Sequence, residues 1–227
     1  MSSKDNATKK ANKKRRNPFR FFLFDFIKIT GAWTALLWLR PKRIFVSKKA
    51  KKHIKGGALA IANHTNIRDP IAMYFAFWYR RVHILAMREL FETKLSNWFF
   101  SGALCIPVDR ENFNMQSFRS VTEVLNEGGV VGIFPEGHIG AEKDNVQSFK
   151  SGAALMAIKA QVPIVPIYLA PYAKKASRTV MVIGEPIDPK QLCGGTPSIR
   201  DLDTVSQTMR EKELELMEVY NKWKTKS

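Results

Sequence analysis

The feature that most constrains this chain is an alternation of short apolar runs with longer amphipathic stretches between residues 58 and 222. The apolar runs, which predict strands, cover residues 58–62, 82–86, 103–108, 130–134, 164–169 and 179–183. The amphipathic stretches, which predict helices, cover residues 70–80, 115–126, 151–160 and 199–222. Strand–helix alternation predicts an α/β fold, here a single domain with a largely parallel central sheet flanked by helices.

Composition narrows the class of protein and of partner. Apolar residues make up 45% of the 227-residue chain, which excludes a disordered protein. Lys and Arg number 37 against 20 Asp and Glu, so the net charge is +17. Such an excess indicates an anionic partner: nucleic acid, an anionic membrane surface or a phosphorylated substrate. The cysteines, Cys105 and Cys193, are far apart, which indicates neither a disulfide framework nor a metal cluster.

The N-terminal region predicts two segments ahead of a domain that spans residues 41–227. Residues 1–17 form a strongly basic tail, which we expect to be disordered. Residues 18–40 are apolar and aromatic but are interrupted by Arg20, Asp25 and Lys28, which leaves less than the roughly 20 apolar residues that a spanning helix needs. We interpret residues 18–40 as a helix that can break at Gly31 and that lies in the membrane interface, with its basic residues on lipid headgroups.

Other interpretations of this segment stay open. A basic stretch before an apolar one is also typical of a signal peptide, although no small-residue cleavage site follows it. Asp25, Lys28, Ala32 and Ala35 fall on one helical face, and an amphipathic helix that covers the core of the domain is the serious competitor. We favour the membrane, because so much aromatic surface beside a basic tail suits an anionic interface better.

His64 and Asp69 follow the first predicted strand of the domain, where an open α/β sheet collects functional groups. A carboxylate on one imidazole nitrogen fixes the tautomer and leaves the other nitrogen free to accept a proton. The spacing therefore predicts a general base with an orienting carboxylate. The structural alternative is that Asp69 is an N-cap, with Pro70 as the first helical residue.

Three later segments add candidate binding residues. Arg110 ends one strand and offers a forked cation that suits a phosphate, and Gly137 follows Glu136 at another strand end, where backbone can approach a ligand. Pro163 and Pro166 punctuate the run 162–169. Each also has a structural interpretation: a surface ion pair for Arg110, a turn at Glu136-Gly137, and edge-strand prolines.

Taken together and in order, these segments resemble a known family. His64-x4-Asp69, the segment that ends in Arg110, Phe134-Pro135-Glu136-Gly137 and the run 162–166 are similar to the four ordered motifs of the glycerolipid acyltransferases, in particular the bacterial 1-acylglycerol-3-phosphate acyltransferases. The similarity extends over about residues 58–186. A set of motifs in a fixed order is far more specific than any one of them.

The resemblance implies a reaction and a role for each residue. His64 would be the general base on a glycerol hydroxyl and Asp69 would orient it, while Arg110, Glu136 and Gly137 would form the acceptor site. The hydroxyl would attack an acyl thioester of acyl-carrier protein or coenzyme A directly, without a cofactor or metal, to give phosphatidic acid. The family also implies a monotopic or peripheral protein on the cytoplasmic face of the cell membrane, with anionic lipids, a lysophospholipid acceptor and the acyl donor as partners.

One departure from the family pattern concerns the acceptor. The third motif commonly continues Glu-Gly-Thr-Arg-Ser, whereas Ile139 stands here at the position of that arginine. Phosphate recognition would then depend on Arg110 with help from Lys150, or the acceptor is a different lysolipid or hydroxylated molecule. Two rivals from other classes are a nucleic-acid-binding protein, disfavoured because no such module is present, and a catalytically silent membrane scaffold, disfavoured by intact His64, Asp69 and Glu136.

Overall fold

The computed structural model describes residues 21–109, 115–136, 151–171, 178–193 and 198–226. Its strands are β1 (Lys42–Phe45), β2 (Ala58–Ala62), β3 (Val82–Met87), β4 (Cys105–Val108), β5 (Val130–Ile133), β6 (Ile164–Leu169) and β7 (Val180–Ile183). Its α-helices are α1 (Phe22–Leu39), α2 (Asp69–Ala76), α3 (Lys94–Gly102), α4 (Met115–Asn126), α5 (Gly152–Ala160) and α6 (Ile199–Lys224). Short 3₁₀ helices lie at Arg88–Phe91 and Pro189–Gln191.

The strands form one seven-stranded sheet in the order β1-β7-β6-β2-β5-β3-β4. Neighbouring strands are parallel except for β6 and β7, which are antiparallel. The predicted α/β fold with a largely parallel sheet is therefore confirmed. Because β2, β3, β4, β5 and β6 share one direction, their C-terminal ends meet at the same edge of the sheet, where the predicted site residues follow.

Strand β2 shows how the two faces of the sheet differ. Its alanines, Ala58, Ala60 and Ala62, pack in one buried cluster with Ala72 and Met73 of α2. These small side chains let the short helix α2 approach the sheet closely. Gly132 of β5 also allows this close approach of α2, because a Cβ at this position would lie only 3.0 Å from Met73 Cγ.

The opposite face of β2 carries Leu59 and Ile61, which belong to a second buried cluster. Helices α4, α5 and α6 cover this face. Their buried contributions to the cluster are Val121, Leu125, Ala153, Ala154, Met156, Ala157, Val205 and Met209. Burying this apolar surface is the main driving force that holds the helices on the sheet.

Helix α1 is continuous from Phe22 to Leu39, so the predicted break at Gly31 is wrong. It contacts the domain through two polar side chains, Asp25 and Lys28. Asp25 accepts hydrogen bonds at 3.1 and 2.7 Å from the Arg81 guanidinium, which lowers the pKa of this carboxyl. Lys28 Nζ donates to the Trp78 carbonyl at 2.6 Å. Lys28 is thereby held against a backbone carbonyl of the domain.

Much of the remaining surface of α1 is exposed, although Phe24 and Leu39 are buried. The exposed apolar side chains are Phe22, Phe26, Ile29, Trp33, Leu36, Leu37 and Trp38. Within the described residues, none of the helices combines the length and the apolar character that crossing a bilayer requires.

Other differences from the predictions have local causes. The predicted strand 103–108 begins only at Cys105, because Ala103 and Leu104 close α3 with backbone hydrogen bonds to Phe99 and Ser101 carbonyls. Strand β1 was not predicted; its Lys-Arg-Ile-Phe run lacks an apolar pattern, and it forms by pairing with β7. Helix α3 was not predicted either, since polar residues interrupt its sequence.

Candidate active site

The site begins at Asn63, the residue that follows β2. Its side-chain amide donates to the Leu169 carbonyl at 2.9 Å and accepts from the Leu169 N–H at 2.7 Å. The amide thus extends the β2–β6 pairing by one more rung, in a buried position. Sequence reasoning did not assign this residue. The available signal was a polar side chain at the end of an entirely apolar strand, which needs a buried partner.

His64 and Asp69 are brought together by a tight turn. His64 Nδ1 lies 3.1 Å from Asp69 Oδ2, and the same oxygen accepts from the backbone N–H groups of Thr65 and Asn66, each at 2.7 Å. Asp69 is completely buried. These three contacts hold the Asp69 carboxylate in a fixed position beside the imidazole.

The predicted N-cap role of Asp69 is wrong. Helix α2 begins at Asp69 itself, with Arg68 in the cap position. The carboxylate turns back onto the preceding turn instead of capping the helix, because three groups of that turn bind it. Pro70, whose lack of an N–H is harmless in the first turn, lies one position further into the helix than predicted.

The imidazole of His64 is held on two sides. Asp69 engages Nδ1, and the Phe134 ring stacks on the imidazole at a centroid distance of 4.3 Å and an angle of 25°. With Nδ1 protonated towards the carboxylate, Nε2 is the nitrogen that can accept a proton. His64 is largely buried but lines a cavity, so a substrate in the cavity can reach it.

This cavity is large and mainly apolar. Its volume is about 1830 Å³, above the roughly 300–1,000 Å³ of an ordinary small-molecule pocket. It lies beside α2, and α1, β3, β4 and α3 contribute to its walls. Lining residues from these elements include Ala35, Tyr74, Ala86, Phe99 and Cys105. A cavity of this size and character fits long hydrocarbon chains.

Glu136 lies just beyond Phe134, is almost completely buried and is close to a second carboxyl, that of Glu213 on α6. Burial, and then the neighbouring charge of Glu136, raise the pKa of Glu213 well above its usual value. Glu213 was not predicted as part of this region. Its spacing with Val205, Met209 and Leu216 places it in the apolar stripe of α6, and that signal was available in the sequence.

Other candidates are distributed as follows. Arg110, Gly137 and Lys150, together with Ile139, lie outside the described residues. Cys105 is a free thiol whose pKa burial raises to about 11, so it is a poor nucleophile near neutral pH. Among the residues that the structure describes, no group of three or more His, Cys, Asp or Glu is placed to hold a metal ion.

Comparison with known proteins identifies the family. The family model described as Acyltransferase matches residues 43–170, which include β2, the His64–Asp69 turn and Glu136. The chain belongs to the Acyltransferase family. It is therefore an acyltransferase, and the resemblance found in the sequence is confirmed at this level.

Individual relatives agree with the family model. The chain is 28% identical over 165 residues to 1-acyl-sn-glycerol-3-phosphate acyltransferase of Bacillus subtilis, which covers 70% of this chain and 81% of that protein. It is 30% identical over 136 residues to the protein of the same name from Streptococcus pneumoniae, covering 57% of this chain and 50% of that protein.

A solved structure has the same fold. The crystal structure of the 1-acyl-sn-glycerophosphate (LPA) acyltransferase PlsC from Thermotoga maritima superposes with a TM-score of 0.62 at 22% identity. The superposition covers 88% of this chain and 81% of that one.

Proposed function

We propose that this protein transfers a fatty acyl group from an acyl thioester to the sn-2 hydroxyl of 1-acyl-glycerol-3-phosphate, giving phosphatidic acid at a membrane surface. The observation that carries the proposal is the His64–Asp69 pair in the wall of a large apolar cavity. A general base beside a hydrocarbon-sized space is what acylation of a lipid hydroxyl requires. The names of the relatives agree with this substrate.

The proposed reaction proceeds in one transfer. The acceptor hydroxyl gives its proton to His64 Nε2 as its oxygen bonds to the thioester carbon. Asp69 stabilises the imidazolium that forms and holds the ring in place. The tetrahedral intermediate then breaks its carbon–sulfur bond, and His64 returns the proton to the departing thiolate. The donor is an acyl thioester of acyl-carrier protein or of coenzyme A, and no cofactor takes part.

The acceptor phosphate is assigned to cations that follow the strand ends. Arg110 follows β4 by two residues in the sequence, and its guanidinium suits a bidentate phosphate contact. Lys150 adds a second cation and Gly137 a close backbone approach. Because Glu136 is almost inaccessible to solvent, we assign it to shaping this site from beneath.

Membrane attachment is assigned to α1 and the basic tail before it. The exposed side of α1 carries Phe22, Ile29 and Trp33, which suit the boundary between headgroups and acyl chains. A net charge of +17 favours an anionic leaflet, and we place the protein on the cytoplasmic face as a monotopic or peripheral enzyme. Residues 1–17 would add electrostatic attraction, roughly 1 kcal/mol per basic residue near the surface.

A second candidate is acylation of another lysolipid or hydroxylated acceptor. It is favoured by one specific observation, Ile139 at the position where the family commonly has a phosphate-binding arginine. An aliphatic side chain provides no interaction with an anion. The reaction type and the His64–Asp69 pair are common to both candidates.

The deciding experiment measures thiol release by the purified protein over a panel of lysolipid acceptors with both donors. Phosphatidic acid formation from 1-acyl-glycerol-3-phosphate, with little turnover of uncharged acceptors, is the expected result. Arg110→Ala should then raise the KM for this acceptor and leave the donor KM nearly unchanged, because ground-state binding is lost. Efficient turnover of a different acceptor, insensitive to Arg110→Ala, would replace the first candidate with the second.

A further inference from the structure

Helix α3 presents an exposed apolar face that the fold leaves uncovered. Leu95 and Trp98 are 74% and 57% exposed, Phe99 is also exposed, and no residue of the helix is buried. Residues at i, i+3 and i+4 lie on one side of a helix. A contiguous apolar face of this kind is unusual on a monomeric soluble surface and marks an interaction site.

This helix is well formed and attached to the domain by its other side. Thr93 caps it, accepting from the Ser96 N–H at 3.1 Å. Phe100 packs against Phe91 of the preceding 3₁₀ helix at a centroid distance of 5.7 Å. The exposed Leu95 and Trp98 are therefore held outward by a fixed scaffold.

The face of α3 is continuous with that of α1 across the mouth of the cavity. Exposed Ile29 and Leu36 of α1 line the cavity, and so do exposed Leu90 and Phe99 on the α3 side. The two helices also contact each other. An opening bordered on both sides by exposed apolar side chains is unfavourable in water, and it is stable when hydrocarbon covers it.

Cations and aromatic rings meet around the same opening. The Arg68 guanidinium lies over the Trp38 ring at 4.1 Å, and the Arg43 guanidinium lies 5.9 Å from the Trp78 ring. Trp38, Trp78 and Arg43 line the cavity. Tryptophan beside basic side chains is the composition of a membrane interface, where rings sit at headgroup level and cations meet lipid phosphates.

We propose that α3 is a second membrane-docking helix, seated with α1 in an anionic phospholipid bilayer so that the cavity opens between them into the hydrocarbon. A lipid acceptor then enters sideways from the leaflet, its acyl chain remaining in an apolar surrounding while its hydroxyl reaches His64. The route of entry rests on the proposed function, whereas docking of α3 does not. The occupant is a bilayer because exposed apolar side chains on two helices surround one lipid-sized opening with basic residues beside it.

The test introduces charge into the α3 face alone. Leu95→Glu and Trp98→Glu, separately and together, change residues that do not line the cavity. Ile199→Glu is the matched control, because Ile199 is 79% exposed at the start of α6. Binding to vesicles of phosphatidylcholine and phosphatidylglycerol is measured by flotation, and circular dichroism verifies folding.

We expect the double variant to bind vesicles more weakly by about tenfold or more. Removing even one apolar side chain from hydrocarbon is enough for a change of this size. Ile199→Glu should bind like the unmodified protein. The milder Leu95→Ser and Trp98→Ser pair should show a smaller loss in the same direction, which tests the face without added charge. Unchanged binding by both α3 pairs, or an equal loss in Ile199→Glu, overturns the proposal.

An activity measurement separates this proposal from the proposed function. Turnover of a monomeric short-chain acceptor should be unchanged in the double variant, while turnover of vesicle-embedded acceptor falls with binding. If the unmodified protein acylates no acceptor, the proposed function fails, and flotation still decides the role of α3. Loss of short-chain turnover in a folded double variant would mean that α3 acts on the reaction site itself, which contradicts a docking role.

Discussion

The two faces of the central sheet differ in how completely helices cover them. On one face, α4, α5 and α6 enclose fully buried side chains such as Leu59, Leu125 and Met209. On the other, the eight-residue helix α2 covers the centre, while α1 and α3 border a cavity of about 1830 Å³. The comparison teaches that the ligand space arises from incomplete helix coverage: three helices close one face, whereas the other face is open beside the cavity that His64 lines.

The largest effect expected on the open face is that of His64→Ala. Loss of a general base should lower kcat about 10²–10⁴-fold. Among the described residues that line the cavity, His64 is the imidazole held by a carboxylate. Melting temperature should change little, since closed-face contacts are untouched. Thiol release and a thermal melt are the measurements. Near-normal turnover in the folded variant would contradict the assignment of His64 as the general base.

Two leucine truncations compare how much a side chain on each face contributes to the free energy of unfolding. Leu125→Ala on the closed face should lower the free energy of unfolding by about 2–5 kcal/mol, because a cavity replaces close packing. Leu36→Ala in the cavity border should cost about 0.5 kcal/mol or less, since this side chain is already exposed. Urea denaturation measures both. Comparable losses would show that the open face is also a stability determinant.

Leu36→Ala should instead change substrate preference. Removing a side chain from the cavity wall alters contacts with hydrocarbon, so the ranking of acyl chain lengths should shift while the best kcat stays within a fewfold of normal. Chain-length profiles of Leu125→Ala and the unmodified protein serve as references. An identical profile in all of them would indicate that acyl chains bind elsewhere.

The smallest effect concerns Glu213. Among the described residues, it is the buried ionisable side chain of α6. Its pKa is raised in the folded protein above the usual 4.5, so above that pH the unfolded chain loses a proton that the folded chain retains. Rising pH therefore lowers stability through this window. Glu213→Gln, which has no proton to lose, should melt like the unmodified protein near pH 4.5 and higher as pH rises.

The expected gain is a few degrees, at about 2–4 °C per kcal/mol for a chain of this size. Exposed Glu211 on the same helix offers the matched control Glu211→Gln. The melting difference between each variant and the unmodified protein is followed by calorimetry across the pH range. A pH-independent difference for Glu213→Gln would contradict a proton held at this buried position.

Much of the open-face site could be predicted from the sequence, because its signals are local. The His64–Asp69 pair spans one turn, and the resemblance to acyltransferases depends on short ordered motifs. Strand β2 and helix α4 have their predicted bounds, because β2 is a short uninterrupted apolar run and α4 has a helical apolar period. The N-cap role considered for Asp69, by contrast, was wrong. A carboxylate that fits an N-cap equally fits the turn before the helix, and only the folded turn decides between the two.

What the sequence determined by itself was the parallel α/β class, the family and the pairing of His64 with Asp69. Apolar periodicity and short motif spacing encode these directly. Tertiary structure alone decided the features that join distant residues: Asn63 on the backbone of Leu169, Phe134 on the His64 ring, and Glu213 beside Glu136. It also decided which face stayed open, because helix coverage depends on how α1, α2 and α3 pack together, and no single segment specifies that.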